Sequence, residues 1–199
     1  MRWITRSHVH LDRVATPWLI VRFVDPAAEF QFVEWGETAD GREGVVWFGV
    51  PGVELGVHDA RGTCFRKVLD RYELRDPALA RMERVIASGV ADALGTAPPS
   101  EQTETEAMLG AALNKLGNGL GIVLDDHQHL ELGFALYEAL YALCQIELLT
   151  DEERSSAPAT RPQQIAYLRR QLRRAAAGYG DRLAVTGAVA VGDERQEST

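Results

Sequence analysis

The sequence predicts an α/β or α+β domain: a small mixed sheet covered by helices, with a long buried helix at about residues 125–149. Three observations lead there. The N-terminal third holds short apolar segments that alternate as strands do. From Cys64 onward, apolar residues repeat at helical spacing. The segment LELGFALYEALYALCQIELL is apolar on nearly every side, the pattern of a helix at the centre of a fold.

Taken in order, RWITRSHVHL alternates as a first strand, and Asp12 is placed to cap a helix with VATPWLIVRFV as its body. Pro17 suits an early helical position and would break the helix if it fell late. EFQFVEW alternates as a half-buried strand. VVWFGV and VELGVHD read as two more, divided by the turn signal Pro51-Gly52. CFRKVLDRYEL carries Phe65, Val68, Leu69 and Tyr72 on one helical face, and Pro77 opens the helix PALARMERVIASGVADAL. Thr103 and Glu106 form a capping-box pattern ahead of AMLGAALNKL, and GNGLG reads as a break. Asp125 and Asp126 open the long helix, where negative charge suits the helix dipole.

Three regions follow from this reading. Residues 1–150 form the domain, 151–182 a linker and basic helix, and 183–199 a disordered tail. Between Arg161 and Arg182 there are six arginines against one aspartate.

Bulk properties exclude several classes. At 199 residues the chain buries a sizeable core without needing a disulfide or metal to fold. A formal net charge of -8 argues against broad binding to nucleic acid or anionic membrane. The two cysteines, Cys64 and Cys144, lack a C-x-x-C pattern and read as core residues of a reducing compartment. MRWITRSHVHLDR has no apolar h-region, so no secretory signal is expected. No apolar run is long enough to span a bilayer, and a cytoplasmic protein is expected.

Chemistry concentrates in three places. If residues 8–12 are a strand, His8, His10 and Asp12 share a face, and imidazole with carboxylate suits zinc, iron or manganese. The plainer alternative is two surface histidines and a capping aspartate. Glu54 and His58 lie four apart in a strand reading, again on one face. His127 and Glu131 stack on one helical face, with Glu138 seven further on. A carboxylate buried on an apolar helix needs a partner, because desolvating the charge is costly. A metal or an arginine would supply it. Arg13 precedes PWLIVRF and Arg22 lies near its end; both suit either an anionic ligand or an internal salt bridge, and Glu138 is the expected partner for one of them. LGNGLG lacks the context of a phosphate loop.

HLDRVATPWLIVRFVDPAAEFQFV, VPGVELGVHD, LDRYELRDPAL and DDHQHLELGFALYEALYALC, in that order, resemble the C-terminal domain of the chromate-resistance ChrB family over about residues 2–145. The resemblance implies a domain of bacterial chromate-resistance operons, linked to chromate sensing or to regulation of a chromate exporter. It implicates Asp12, Arg13, Trp18, Arg22, Glu54, His58, His127 and Glu131. Relatives often carry cysteine where this chain has Thr16. The N-terminal part of longer ChrB proteins is not expected in this chain, and its arginine-rich tail lies outside the likeness.

The leading expectation is a metal-dependent enzyme acting on a small, anionic molecule. Iron, manganese or zinc would be held by His58, His127 and Glu131, with Glu54 or His10 completing the set. Arg13 or Arg22 would grip the anion. The alternative is an oxyanion-responsive sensor or transcriptional module, for which Arg169–Arg174 is the one DNA-like feature. A third reading is an interaction domain with incidental histidines. No membrane partner is expected, and the oligomeric state stays open.

Overall fold

A computed structural model describes residues 1–178 other than Asp40 and Arg42, and side chains as far as Leu172. The expected tail at 183–199 lies outside the described residues. Three strands form one parallel sheet: β1 (Arg2–Arg6), β2 (Glu29–Val33) and β3 (Val45–Trp47), in the order β2-β1-β3. The chain's first strand is therefore the central one. Trp3 faces a large core and Ile4 a smaller one with Val33, Trp47 and Val50, so β1 is buried on both sides, as parallel strands are.

Among the described residues, seven α-helices pack around the sheet and on one another: α1 (Asp12–Leu19), α2 (Cys64–Arg71), α3 (Pro77–Leu94), α4 (Glu104–Val123), α5 (Asp126–Glu147), α6 (Asp151–Ser155) and α7 (Arg161–Gly178). This is the small sheet under helices that the sequence predicts. Among the described residues, no helix is long and apolar enough to cross a membrane. The main core gathers Trp3, Leu19, Phe48, Phe65, Leu79, Met82, Ile86 and Tyr141.

Local chemistry explains most boundaries. Asp76 caps α3 ahead of Pro77, and Gly95 ends it in a left-handed conformation at φ 63°. Thr103 and Glu106 close a capping box on α4, and Asp125 with Gln128 closes one on α5. Helix α5 buries Leu130, Gly133, Tyr137, Leu140, Tyr141 and Cys144 on a single stripe.

Four expectations need correction. Strand β1 stops at Arg6, and residues 7–11 form a loop in which His8 (φ 58°) and Leu11 (φ 46°) adopt left-handed backbone. That conformation ends strand alternation, so the shared face of His8, His10 and Asp12 does not exist. VELGVHD is turn and loop with two isolated bridges, Phe48 to Leu55 and Asp59 to Gly62, so Glu54 and His58 do not share a strand face. Pro17 stands inside α1, which continues and widens into a π-helical turn at Ile20–Val24. GNGLG is not a break: α4 runs through it to Val123. Of its glycines, Gly117 serves packing, since a Cβ there would sit 3.0 Å from the His10 ring.

Candidate functional site

Because all three strands are parallel, their carboxyl ends lie on one edge of the sheet, where ligands bind in open α/β folds. A cleft of about 360 Å³ opens there. Arg6, the last residue of β1, lines it together with His10, Leu11, Asp12 and Arg13 from the loop and the start of α1. Gly49, just beyond β3, and Val57 with His58 form another side. Val90, Ala93 and Leu94, from the last turns of α3, complete it.

Each polar side chain is positioned by identifiable contacts. The Arg13 guanidinium forks onto backbone, donating to the carbonyls of Arg6 (2.7 Å), Ser7 (3.2 Å) and His8 (2.8 Å). Burial and the neighbouring Arg6 charge hold Arg13 below the usual arginine range. Arg6 lies over the ring of exposed Trp35 at 4.0 Å, and its buried Nε has no partner among the described residues. His10 donates from Nε2 to the carbonyl of Asn114 on α4 (3.0 Å), which leaves Nδ1 as the unused nitrogen. A Cβ at Gly49 would lie 2.9 Å from the Arg13 side chain, so the cleft floor requires glycine there.

The Asp12 carboxylate is taken up by hydrogen bonds within the protein. It accepts the backbone N–H groups of Cys64 (2.7 Å) and Phe65 (3.0 Å) and the Thr16 hydroxyl (3.2 Å). Burial pushes its pKa up, while these donors and the nearby His58 pull it down. His58 is held by a buried lysine on α2. The Lys67 ammonium donates to the carbonyls of Gly56 and Val57 and pairs with Asp59 at 3.0 Å, which fixes the loop on either side of His58. The same ammonium lowers the exposed Asp59 carboxyl to about 2.

Of the residues singled out in the sequence, the structure brings together His10, Asp12, Arg13 and His58. His127 and Glu131 lie outside the cleft, on the exposed side of α5; the His127 ring meets Phe32 edge-on at 4.9 Å. Glu54 pairs with Arg71 at 3.3 Å on the surface. Arg22 joins Glu138 at 3.3 Å, and Trp18 Nε1 donates to the same carboxylate oxygen at 3.1 Å, so the expected arginine partner of Glu138 is Arg22. Among the described residues, no three His, Cys, Asp or Glu side chains are grouped to hold a metal ion.

Sequence reasoning missed Arg6, Lys67, Asp126 and His129. Lys67 carries a legible signal, since it lies three residues after Cys64 on the buried stripe of α2. Asp126 accepts the backbone N–H groups of His8 (3.0 Å) and Val9 (2.7 Å), clamping the loop that carries His10. His129 is buried beside that loop. Nothing in the local pattern of DDHQH distinguishes these two from their exposed neighbours.

Fold and site together define a helix-covered parallel-sheet domain with a cationic cleft at the carboxyl ends of its strands. The chain belongs to the family of ChrB C-terminal domains, whose model matches residues 3–144. It is 34% identical over 141 residues to Protein ChrB of Cupriavidus metallidurans, a match covering 70% of this chain and 40% of that protein. The chain thus spans well under two thirds of the curated relative it matches. No solved structure matches it.

Proposed function

We propose that this domain binds an oxyanionic ligand in the cleft formed by Arg6, His10, Arg13 and His58, as the recognition module of a chromate-resistance protein. One observation carries the reading: two guanidinium groups close enough to perturb each other stand beside two imidazoles in a single cleft. Like charges crowded in this way repel, and a bound anion relieves the repulsion while taking up unused donors. The division of labour is clear. Arg13 is committed to backbone carbonyls and shapes the loop, whereas the buried Nε of Arg6, which stacks on Trp35, has no hydrogen-bond partner among the described residues, and His58 lines the cleft beside it.

The test is calorimetric titration of the protein with chromate, sulfate and phosphate, alongside Arg6→Gln and His58→Gln. At least one oxyanion is expected to bind, with roughly tenfold weaker affinity in each variant. Equal affinity in wild type and both variants would sink the reading. If the domain acts in regulation through DNA, the basic α7 helix is the surface to examine, because Arg169 and Arg170 are exposed. Gel shifts at physiological salt, with and without chromate, test that extension.

The metal-dependent reading survives in narrower form, favoured by His10 and His58 lining the same cleft. Both Asp12 oxygens already accept hydrogen bonds, so a third protein ligand is lacking among the described residues. Elemental analysis of untagged protein tests it; less than about 0.2 metal per chain argues against a resident ion.

A further inference from the structure

We infer that the ligand of this cleft is an organic anion with a compact apolar body, rather than a bare inorganic oxyanion. The inference rests on the anion-binding reading above and narrows it to a chemical class. Three observations point there.

The first is size. A cleft of about 360 Å³ is in the range of small-molecule ligand sites, and a tetrahedral oxyanion fills only a fraction of it. The second is the division of the lining. Arg6 and Arg13 supply positive charge and His10 and His58 add imidazoles from the loop side, where the Asp12 carboxylate is already taken up by hydrogen bonds, while Val90, Ala93 and Leu94 form a wall without a polar side chain. These three lie at i, i+3 and i+4 on α3, so they present one continuous apolar strip. Leu94 is 60% exposed, which leaves apolar surface for a ligand to cover.

The third observation is orientation. The apolar strip belongs to the last turns of α3, where the helix dipole is negative. An anionic group is disfavoured at that end and favoured beside Arg6 and His58. A ligand with charge at one pole and hydrocarbon at the other satisfies both walls; a bare oxyanion satisfies one and leaves the other wet.

Matched pairs of anions test this by calorimetry on the full chain: phosphate against phenyl phosphate, sulfate against benzenesulfonate, acetate against benzoate. The aromatic member of each pair is expected to bind at least about tenfold tighter. Leu94→Gln, a neutral change at an exposed position, should erase that advantage and leave the small anions unaffected. Arg6→Gln should weaken both members of every pair. Equal affinities within the pairs, or an advantage that persists in Leu94→Gln, would overturn the inference while leaving anion binding intact. If no anion in the set binds the wild-type protein, the anion-binding reading itself fails and this inference falls with it.

Discussion

Asp12 caps a helix that begins 52 residues later: its carboxylate accepts the backbone N–H of Cys64 at 2.7 Å. The neighbouring N–H of Phe65 is bound by the same carboxylate at 3.0 Å, and Thr63 supplies the ordinary cap by accepting from Arg66. Three of the four unpaired donors at the start of α2 are thus satisfied, two of them from α1. Asp12→Ala is expected to cost about 3 kcal/mol, because two buried donors lose their acceptor together. Urea denaturation checks this. Asp12→Asn, which keeps an acceptor oxygen, should recover part of the loss.

His129 makes stability depend on pH. Burial holds its imidazole below the usual histidine range; nearby His10 adds to the effect and Asp126 opposes it. As pH falls, the unfolded chain takes up the proton first. This contribution is therefore fully present above the unfolded value near 6.5 and is lost as pH drops through the lowered folded value. Thermal melts between about pH 5 and 7.5 should show stability rising with pH. His129→Gln should flatten that slope, and an unchanged slope would count against the assignment.

Helices α3 and α4 touch through backbone at Gly89 and Gly110. A Cβ at Gly110 would lie 2.6 Å from both Gly89 N and Val85 O, with no flexible side chain able to yield. Gly110→Ala must push the helices apart and is expected to cost about 2–3 kcal/mol, read as a lower denaturation midpoint. Gly119, which has nothing within 4 Å of its would-be Cβ, is the control: Gly119→Ala should be neutral or stabilising.

Both cysteines should resist thiol reagents until the protein unfolds. Cys64 and Cys144 are buried, and burial pushes Cys144 up to about 12 and Cys64 higher still. Little thiolate then exists at neutral pH. Titration with an aromatic disulfide reagent should find both thiols silent in buffer and both reactive in denaturant; a thiol that reacts rapidly in buffer would contradict this burial.

Most helices are legible in the sequence because their signals are local: Pro77 after Asp76, Thr103 with Glu106, and Asp125 with Gln128 each sit within one turn of the helix they start. The site is only half legible. His10, Arg13 and His58 stand out by residue type, but the reasoning that grouped His10 with His8 and Asp12, and His58 with Glu54, assumed strand geometry. Residues 7–11 and 53–59 are loops, where alternation carries no information. Arg6 looks like an ordinary surface arginine until Trp35, 29 positions away, supplies its platform. His127 and Glu131 show the converse limit: helical spacing places them on one face without saying what that face meets.

The clamp from Asp126 to the backbone of His8 and Val9 spans 118 and 117 positions. On a ribosome, the loop bearing His10 finds its anchor only after the 117 positions that separate Val9 from Asp126 have been added. Until then the loop that follows β1 lacks this clamp. Recognition competence should therefore be among the last properties this domain acquires during translation, and a transcript truncated before residue 126 should yield a product unable to bind.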